Sequence, residues 1–211
     1  MFSINQMFNL KSKTYEKGIF IYVSVVCWCN DYDNIYLKKT FEVQISLKDG
    51  SATLWIDAAS LDNSVDKAGY EIEEGQLSGF IENLNESKSK YIEWVNKAKE
   101  NNVSEVDKPI ELTTKSQKIS GYFKYGDWQF DHNVRLSYNF KIFKDDKTDK
   151  INYLLIVRSG KLQSGSNQFM DCKDVVLVFT SADEITDFLN IISPEKITTY
   201  KNKPKSEELF K

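Results

Sequence analysis

Apolar positions recur at a spacing of two through most of the chain and at three to four in two stretches, which predicts strands interrupted by helices. From Gly18 to Cys29 the sequence is β-branched and aromatic almost without a break, the pattern of a strand covered on both faces. Leu37 to Leu47 alternates instead. Leu37, Phe41, Val43, Ile45 and Leu47 share one face and Lys38, Thr40, Glu42, Gln44 and Ser46 the other, as in a half-buried strand. Asp49-Gly50 follows, a dipeptide that tolerates positive φ at both centres of a two-residue turn, and Ser51 to Asp57 resumes the alternation. Placing Lys48 opposite Ser51 sets Leu47 against Ala52, Ile45 against Leu54 and Val43 against Ile56, so every apolar residue of the hairpin falls on one face. The same register leaves Trp55 on the polar face, opposite Gln44, with no core of its own to fill.

After a loop rich in Asp, Asn, Ser and Gly, the segment from Gln76 to Lys99 carries Leu77, Phe80, Ile81, Leu84, Tyr91, Ile92, Val95 and Ala98 at helical spacings, with Ser and Lys interrupting the stripe midway. Asn101-Asn102 ends this helix, and Val103 to Thr114, with Pro109, reads as a connector. A second cycle then begins. Lys118 to Tyr125 reads as a strand, Val134 to Ile142 alternates cleanly, a polar turn from Lys144 to Lys150 leads into Ile151 to Arg158, and Val175 to Phe179 is a short buried strand. Ser181 with Glu184 three residues on has the form of a capping box, after which Ile185, Phe188, Leu189 and Ile192 mark a short helix closed by Pro194.

Strands followed by a helix therefore occur twice, which predicts an α+β fold made of two antiparallel ββββα repeats related by a pseudo-two-fold axis. The divisions expected are a first repeat over 1–107, a second over 108–195 and a polar, mobile tail over 196–211. Charge sharpens the division. The chain holds 28 Lys and Arg against 31 Asp and Glu, a net charge of -3, so no chain-wide field draws in phosphates. Residues 1–107 carry 11 lysines against 17 acids, whereas 108–211 carry 17 basic residues against 14 acids. Of the three cysteines, Cys27 and Cys29 lie one residue apart on a strand, about 7 Å between Cα atoms, which places them poorly for a mutual disulfide. All three, Cys172 included, are read as reduced packing residues. No leader segment and no apolar run of spanning length is evident, so a cytoplasmic location and no membrane partner are expected.

From Val134-Arg135-Leu136-Ser137 through Tyr153 to Val157, Val175 to Phe179 and the capped helix at Ser181, the chain resembles the Whirly and PUR group of single-stranded nucleic-acid-binding proteins. The resemblance is one of topology over Gly18 to Ser193. It implies paired ββββα units and a non-catalytic protein that binds single strands on its sheets, with oligomerisation as a further possibility of such units. Binding of that kind needs aromatic faces for bases and cations along the backbone path. The sequence offers Trp55, with Tyr36 and Trp28, in the first half, and Tyr122, Tyr125 and Trp128 in the second. The cations expected beside them are Arg135, Lys141, Arg158 and, in the tail, Lys201, Lys203 and Lys205. An alternative is an inhibitor or immunity-type protein of a phage or mobile element, which would block a partner protein through the acidic first half.

Catalytic signatures are wanting. His132 alone cannot anchor a zinc site, and Cys27-x-Cys29 lacks a second pair. There is no Gly-rich phosphate loop, GxSxG or HExxH, and no cofactor is expected. Asp145, Asp146 and Asp149 read as a solvated turn. Asp131-His132 offers half of a proton-transfer pair with no nucleophile nominated, so the protein is expected not to be an enzyme.

Overall fold

The computed structural model describes residues 28–114 and 118–202. They form a mixed α+β fold whose strands and helices run β1 (Trp28–Asn34), β2 (Lys39–Lys48), β3 (Ser51–Ser60), β4 (Lys67–Glu73), α1 (Glu74–Glu100), β5 (Val106–Pro109), β6 (Lys118–Tyr125), β7 (Asp127–Arg135), β8 (Ser137–Lys144), β9 (Ile151–Arg158), β10 (Leu162–Gln163), β11 (Asp171–Cys172), β12 (Val175–Phe179), α2 (Ala182–Ile191) and α3 (Pro194–Lys201). Most of the strand expected at 18–29 lies outside the described residues.

The β2–β3 hairpin has the register that the alternation predicts: Lys48 pairs with Ser51, Leu47 with Ala52, Ile45 with Leu54, Val43 with Ile56 and Gln44 with Trp55. Asp49 and Gly50 both take positive φ, 52° and 81°, as a two-residue turn between twisted strands requires. The long helix also falls where its spacing places it. Its stripe of Leu77, Phe80, Leu84, Tyr91 and Ala98 is buried, and the Ser87 hydroxyl that interrupts the stripe is satisfied by the Asn83 carbonyl at 2.8 Å.

Two strands lie where polar composition reads as loop. β4, Lys-Ala-Gly-Tyr-Glu-Ile-Glu, inserts between β3 and β6. β5 crosses the expected 107/108 boundary and pairs with β8. The strand expected at 134–142 is in fact two. β7 leaves its partner β6 at Arg135, the chain bends at the buried Leu136, and β8 pairs with β9 instead.

All but the short β10–β11 pair belong to one antiparallel sheet of order β5-β8-β9-β12-β3-β4-β6-β7, with β2 and then β1 branching from β3. The branch arises because β3 shares one edge: residues 51–56 pair with β2, while Ala59 and Ser60 pair with β12. Sheet and core therefore run across both halves of the chain. Tyr70 of β4 donates its hydroxyl to the Val175 carbonyl at 2.5 Å, and Asn34 Nδ2 donates to the Val178 carbonyl at 2.6 Å. One apolar core gathers the inward residues of β3, β4, β8, β9 and β12 with α1 and α2. A smaller cluster, Leu154, Val176 and Val178, sits on the outward face under Leu37, Phe143 and Ile156.

Ser181 caps α2 as expected, its hydroxyl accepting from the Glu184 amide at 3.1 Å. The reciprocal arm goes elsewhere. Glu184, buried, accepts from Thr180 N and Oγ1, from the Tyr32 hydroxyl at 3.0 Å and from Ile35 N at 3.2 Å, tying the β1–β2 turn to the helix. Pro194 does not simply close the helix; it is the first residue of α3, capped by Ser193. Residues 196–201, expected in a polar mobile tail, are helical, because Ile197 and Tyr200 are buried against the core. Among the described residues no helix is long and apolar enough to cross a membrane.

Candidate nucleic-acid interface

Strand alternation turns Glu42, Gln44 and Ser46 of β2, Trp55 and Asp57 of β3, Lys67, Gly69 and Glu71 of β4, Ser120, Tyr122 and Lys124 of β6, and Trp128, Phe130 and His132 of β7 to the outward face. Four of the residues expected to bind, Trp55, Tyr122, Tyr125 and Trp128, meet on or beside this face. The contact depends on Gly69. A Cβ there would collide with the Ile56 carbonyl and the Tyr122 ring, so only glycine lets Tyr122 of β6 lie across β4 and donate its hydroxyl to Asp57 of β3 at 2.6 Å. Burial, reinforced by Asp57, holds the Tyr122 phenol well above its ordinary pKa, so it stays a donor.

The rings form a continuous array. Trp55 lies 5.5 Å from Tyr122 and 6.1 Å from Phe130, Tyr122 lies 5.8 Å from Trp128, and the Phe130 and His132 rings are parallel to 3° at 6.1 Å. Not all of them reach solvent. Tyr122 is 2% exposed and Trp55 is half-buried with its indole N–H given to Ser46 Oγ at 3.0 Å, so these two are the floor of the array. Trp128 and Tyr125, 47% and 50% exposed, stand at the β6–β7 turn, where Lys124 Nζ lies 5.9 Å from the Trp128 ring centre.

A third exposed ring belongs to a loop docked against β7. The segment from Gln163 to Met170 is held against β7 by Gly165 N donating to the Phe130 carbonyl at 2.8 Å, by Gln163 N to Asp131 Oδ2 at 2.9 Å, and by Ser164 Oγ to Gln129 Oε1 at 2.6 Å. It is braced internally by Gln163 Nε2 to the Gln168 and Met170 carbonyls, yet it presents Phe169 with 87% of its surface in solvent. Phe169 lay in a stretch without periodicity, and its only sequence signal is a large apolar residue among Ser, Asn, Gly and Gln.

The expected cations disperse. Arg135 is exposed at the far end of β7 from Trp128. Lys141 pairs with Asp107 at 3.3 Å on the β5–β8 side of the sheet, Arg158 donates Nε to Asp174 Oδ2 at 2.6 Å, and Lys201 holds Glu74 at 2.9 Å on α3. Lys203 and Lys205 lie outside the described residues, as does the side chain of Trp28; Tyr36 sits in the β1–β2 turn with its ring 6.1 Å from Phe143. Lys67, which the sequence did not single out, is paired with Asp57 at 2.8 Å and Glu42 at 3.4 Å. Burial opposes its charge, but the two carboxylates outweigh that and raise its pKa.

One polar constellation crosses the array. Ser120 Oγ lies 3.0 Å from His132 Nδ1, and Glu71 is the partner of Ser120 across β4–β6. Burial pushes the Glu71 carboxyl up, while the Ser120 hydroxyl and His132 pull it back. The register that pairs Tyr125 with Asp127 and Gly121 with Asp131 sets Ser120 opposite His132, and the shift to Ile119–Val134 follows just beyond them. Cys172 is a buried free thiol whose pKa burial raises, and Cys29 is exposed; Cys27 lies outside the described residues. Among the described residues no group of three or more His, Cys, Asp or Glu is placed to hold a metal ion. No protein-family model, curated protein or solved structure matches this chain.

Proposed function

We propose that the protein binds single-stranded nucleic acid without catalysis, along the β6–β7 edge of the sheet. Tyr125, Trp128 and Phe169 stack on bases, and Lys118, Lys124 and Arg135 follow the backbone. The observation that carries the reading is that Tyr125, Trp128 and Phe169 are large rings left in solvent, the first two at the β6–β7 turn and the third on a loop hydrogen-bonded to β7. Leaving such rings in water is unfavourable, and ordering them in advance lowers the entropy lost on binding. In this reading β1–β4 with α1, and β6–β9 and β12 with α2, are the two strand-and-helix units of a duplicated arrangement, the second with five strands in place of four because β7 and β8 are separate, and the protein is a distant counterpart of the Whirly and PUR group.

Fluorescence anisotropy with a labelled 12-nucleotide oligo-dT and a mixed duplex tests it. Single strands bind more tightly than duplex, and Trp128→Ala or Phe169→Ala each weakens binding by about 5- to 150-fold, since a stacked base contributes roughly 1–3 kcal/mol. With about three cations engaged, log K falls against log salt with a slope of about -2. Equal affinity for duplex, or no binding at about 100 μM protein, overturns the reading.

A second reading has its own observation. On β1 and β2 Asp31 stands directly opposite Glu42 on the outward face, with Asp33 two residues on. Like charges so placed repel, and although Lys67 pairs with Glu42, a basic partner would neutralise Asp31 and Asp33 as well. Capture of a basic host protein that is lost in Asp31→Lys and Asp33→Lys, together with no oligonucleotide binding, favours this blocking role.

A further inference from the structure

Glu71, Ser120 and His132 form a row across β4, β6 and β7: carboxylate, hydroxyl, imidazole. A serine hydroxyl has one hydrogen to give, whereas an ionised carboxylate only accepts. Ser120 stands between the two, its Oγ 3.0 Å from His132 Nδ1, and where its hydrogen goes to the Glu71 carboxylate the Oγ lone pair is left for an Nδ1–H on His132. The neutral imidazole is thereby set in one tautomer, with Nε2 an acceptor, and its parallel neighbour Phe130 holds the plane of the ring. His132 is exposed, and it lies four residues along the same face from Trp128, about 13 Å at strand rise.

An imidazole acceptor on the path of a nucleic-acid strand has few donors to meet. Phosphates and the deoxyribose ring offer none; the donors are the N–H groups of the bases, common to DNA and RNA, and the 2′-hydroxyl that every ribonucleotide adds. We propose that His132 Nε2 accepts a hydrogen bond from a ribose 2′-hydroxyl, so that the ligand of this face is RNA rather than DNA. The inference rests on the nucleic-acid reading above. His132 is then the residue that touches the ligand, Ser120 and Glu71 position it, and the base-stacking rings supply affinity without regard to the sugar.

Four 12-mers that share the uracil base separate the possibilities: ribo, deoxy, 2′-fluoro and 2′-O-methyl. The fluoro sugar keeps the pucker of RNA but has lost the donor. The ribo strand binds about fivefold more tightly than the deoxy strand, the margin of one modest hydrogen bond, and the fluoro and methyl strands fall with the deoxy. His132→Phe keeps a ring beside Phe130, removes the acceptor and brings the ribo strand down to the deoxy affinity. Ser120→Ala narrows the margin between the ribo and deoxy strands, because the His132 ring then loses the contact that selects its tautomer.

Fluoro binding equal to ribo would assign the preference to sugar pucker and overturn the inference. So would a preference that survives in His132→Phe, or equal ribo and deoxy binding by the wild-type chain, both of which leave the parent reading standing. Binding of none of the four strands removes the parent reading as well.

Discussion

Two tyrosines in the core have opposite hydrogen-bond accounts. Tyr70 is fully buried and its hydroxyl donates to the Val175 carbonyl at 2.5 Å, whereas the buried Tyr138 hydroxyl has no partner among the described residues. Burial drives both phenols well above their ordinary pKa, so neither ionises at neutral pH. A satisfied buried hydroxyl contributes about 1 kcal/mol net, and an unsatisfied one costs about 1–3 kcal/mol relative to an apolar replacement. Tyr70→Phe is therefore expected to lower stability by about 1 kcal/mol and Tyr138→Phe to leave it unchanged or raise it by about 1 kcal/mol, measured as shifts in urea midpoint at constant m-value. Neither fate was legible in the chain. Tyr138 alternates into the core as its strand predicts and Tyr70 lies in a strand that composition disguised as loop, and whether either hydroxyl finds an acceptor is decided by segments distant in sequence.

Helix α3 is docked by two means, the burial of Ile197 and Tyr200 and the ion pair from Lys201 to Glu74 at the first turn of α1. The hydrogen bond from Lys201, then that from the Ala52 amide, holds the Glu74 carboxyl below its ordinary value of 4.5. A carboxyl whose folded pKa is depressed adds stability above the unfolded pKa and loses it as pH falls through the folded one. Stability should accordingly drop below about pH 4.5, and the part of that drop due to this pair should be absent in Lys201→Ala. The pair is partly exposed, so its effect is a fraction of a kcal/mol, read by comparing urea midpoints of the two chains at pH 6 and pH 3. The hairpin β2–β3 and helix α1 were readable to the register or the turn because period, turn dipeptide and cap all act locally. β4 and α3 were not, since Lys-Ala-Gly-Tyr and Pro-Glu-Lys-Ile acquire strand and helix only from the surfaces they cover.

The molecule closes through β3, whose one edge serves both β2 and β12. The apolar core runs through both halves, and β5 crosses the boundary expected at 107/108 to pair with β8. Cooperative unfolding follows from such sharing. Tryptophan fluorescence and far-UV circular dichroism should trace one coincident urea transition for the full chain, and fragments 1–107 and 108–211 expressed apart should show none. Two separate transitions would mean that the halves are stable on their own.

Local chemistry thus settled which segments alternate, where the first hairpin turns, which face of the long helix is apolar and that Trp55 points away from its own core. The neighbours of that tryptophan came from packing. Tyr122 and Phe130 reach it across Gly69, over a strand that composition disguised as loop, and they convert a surface ring into a floor. The same packing drew Lys141, Arg158 and Lys201 into separate ion pairs and docked the loop that carries Phe169 against β7. Period and turn signals act over a few residues, whereas strand order and loop docking are fixed by hydrogen bonds and burial between segments far apart in the chain.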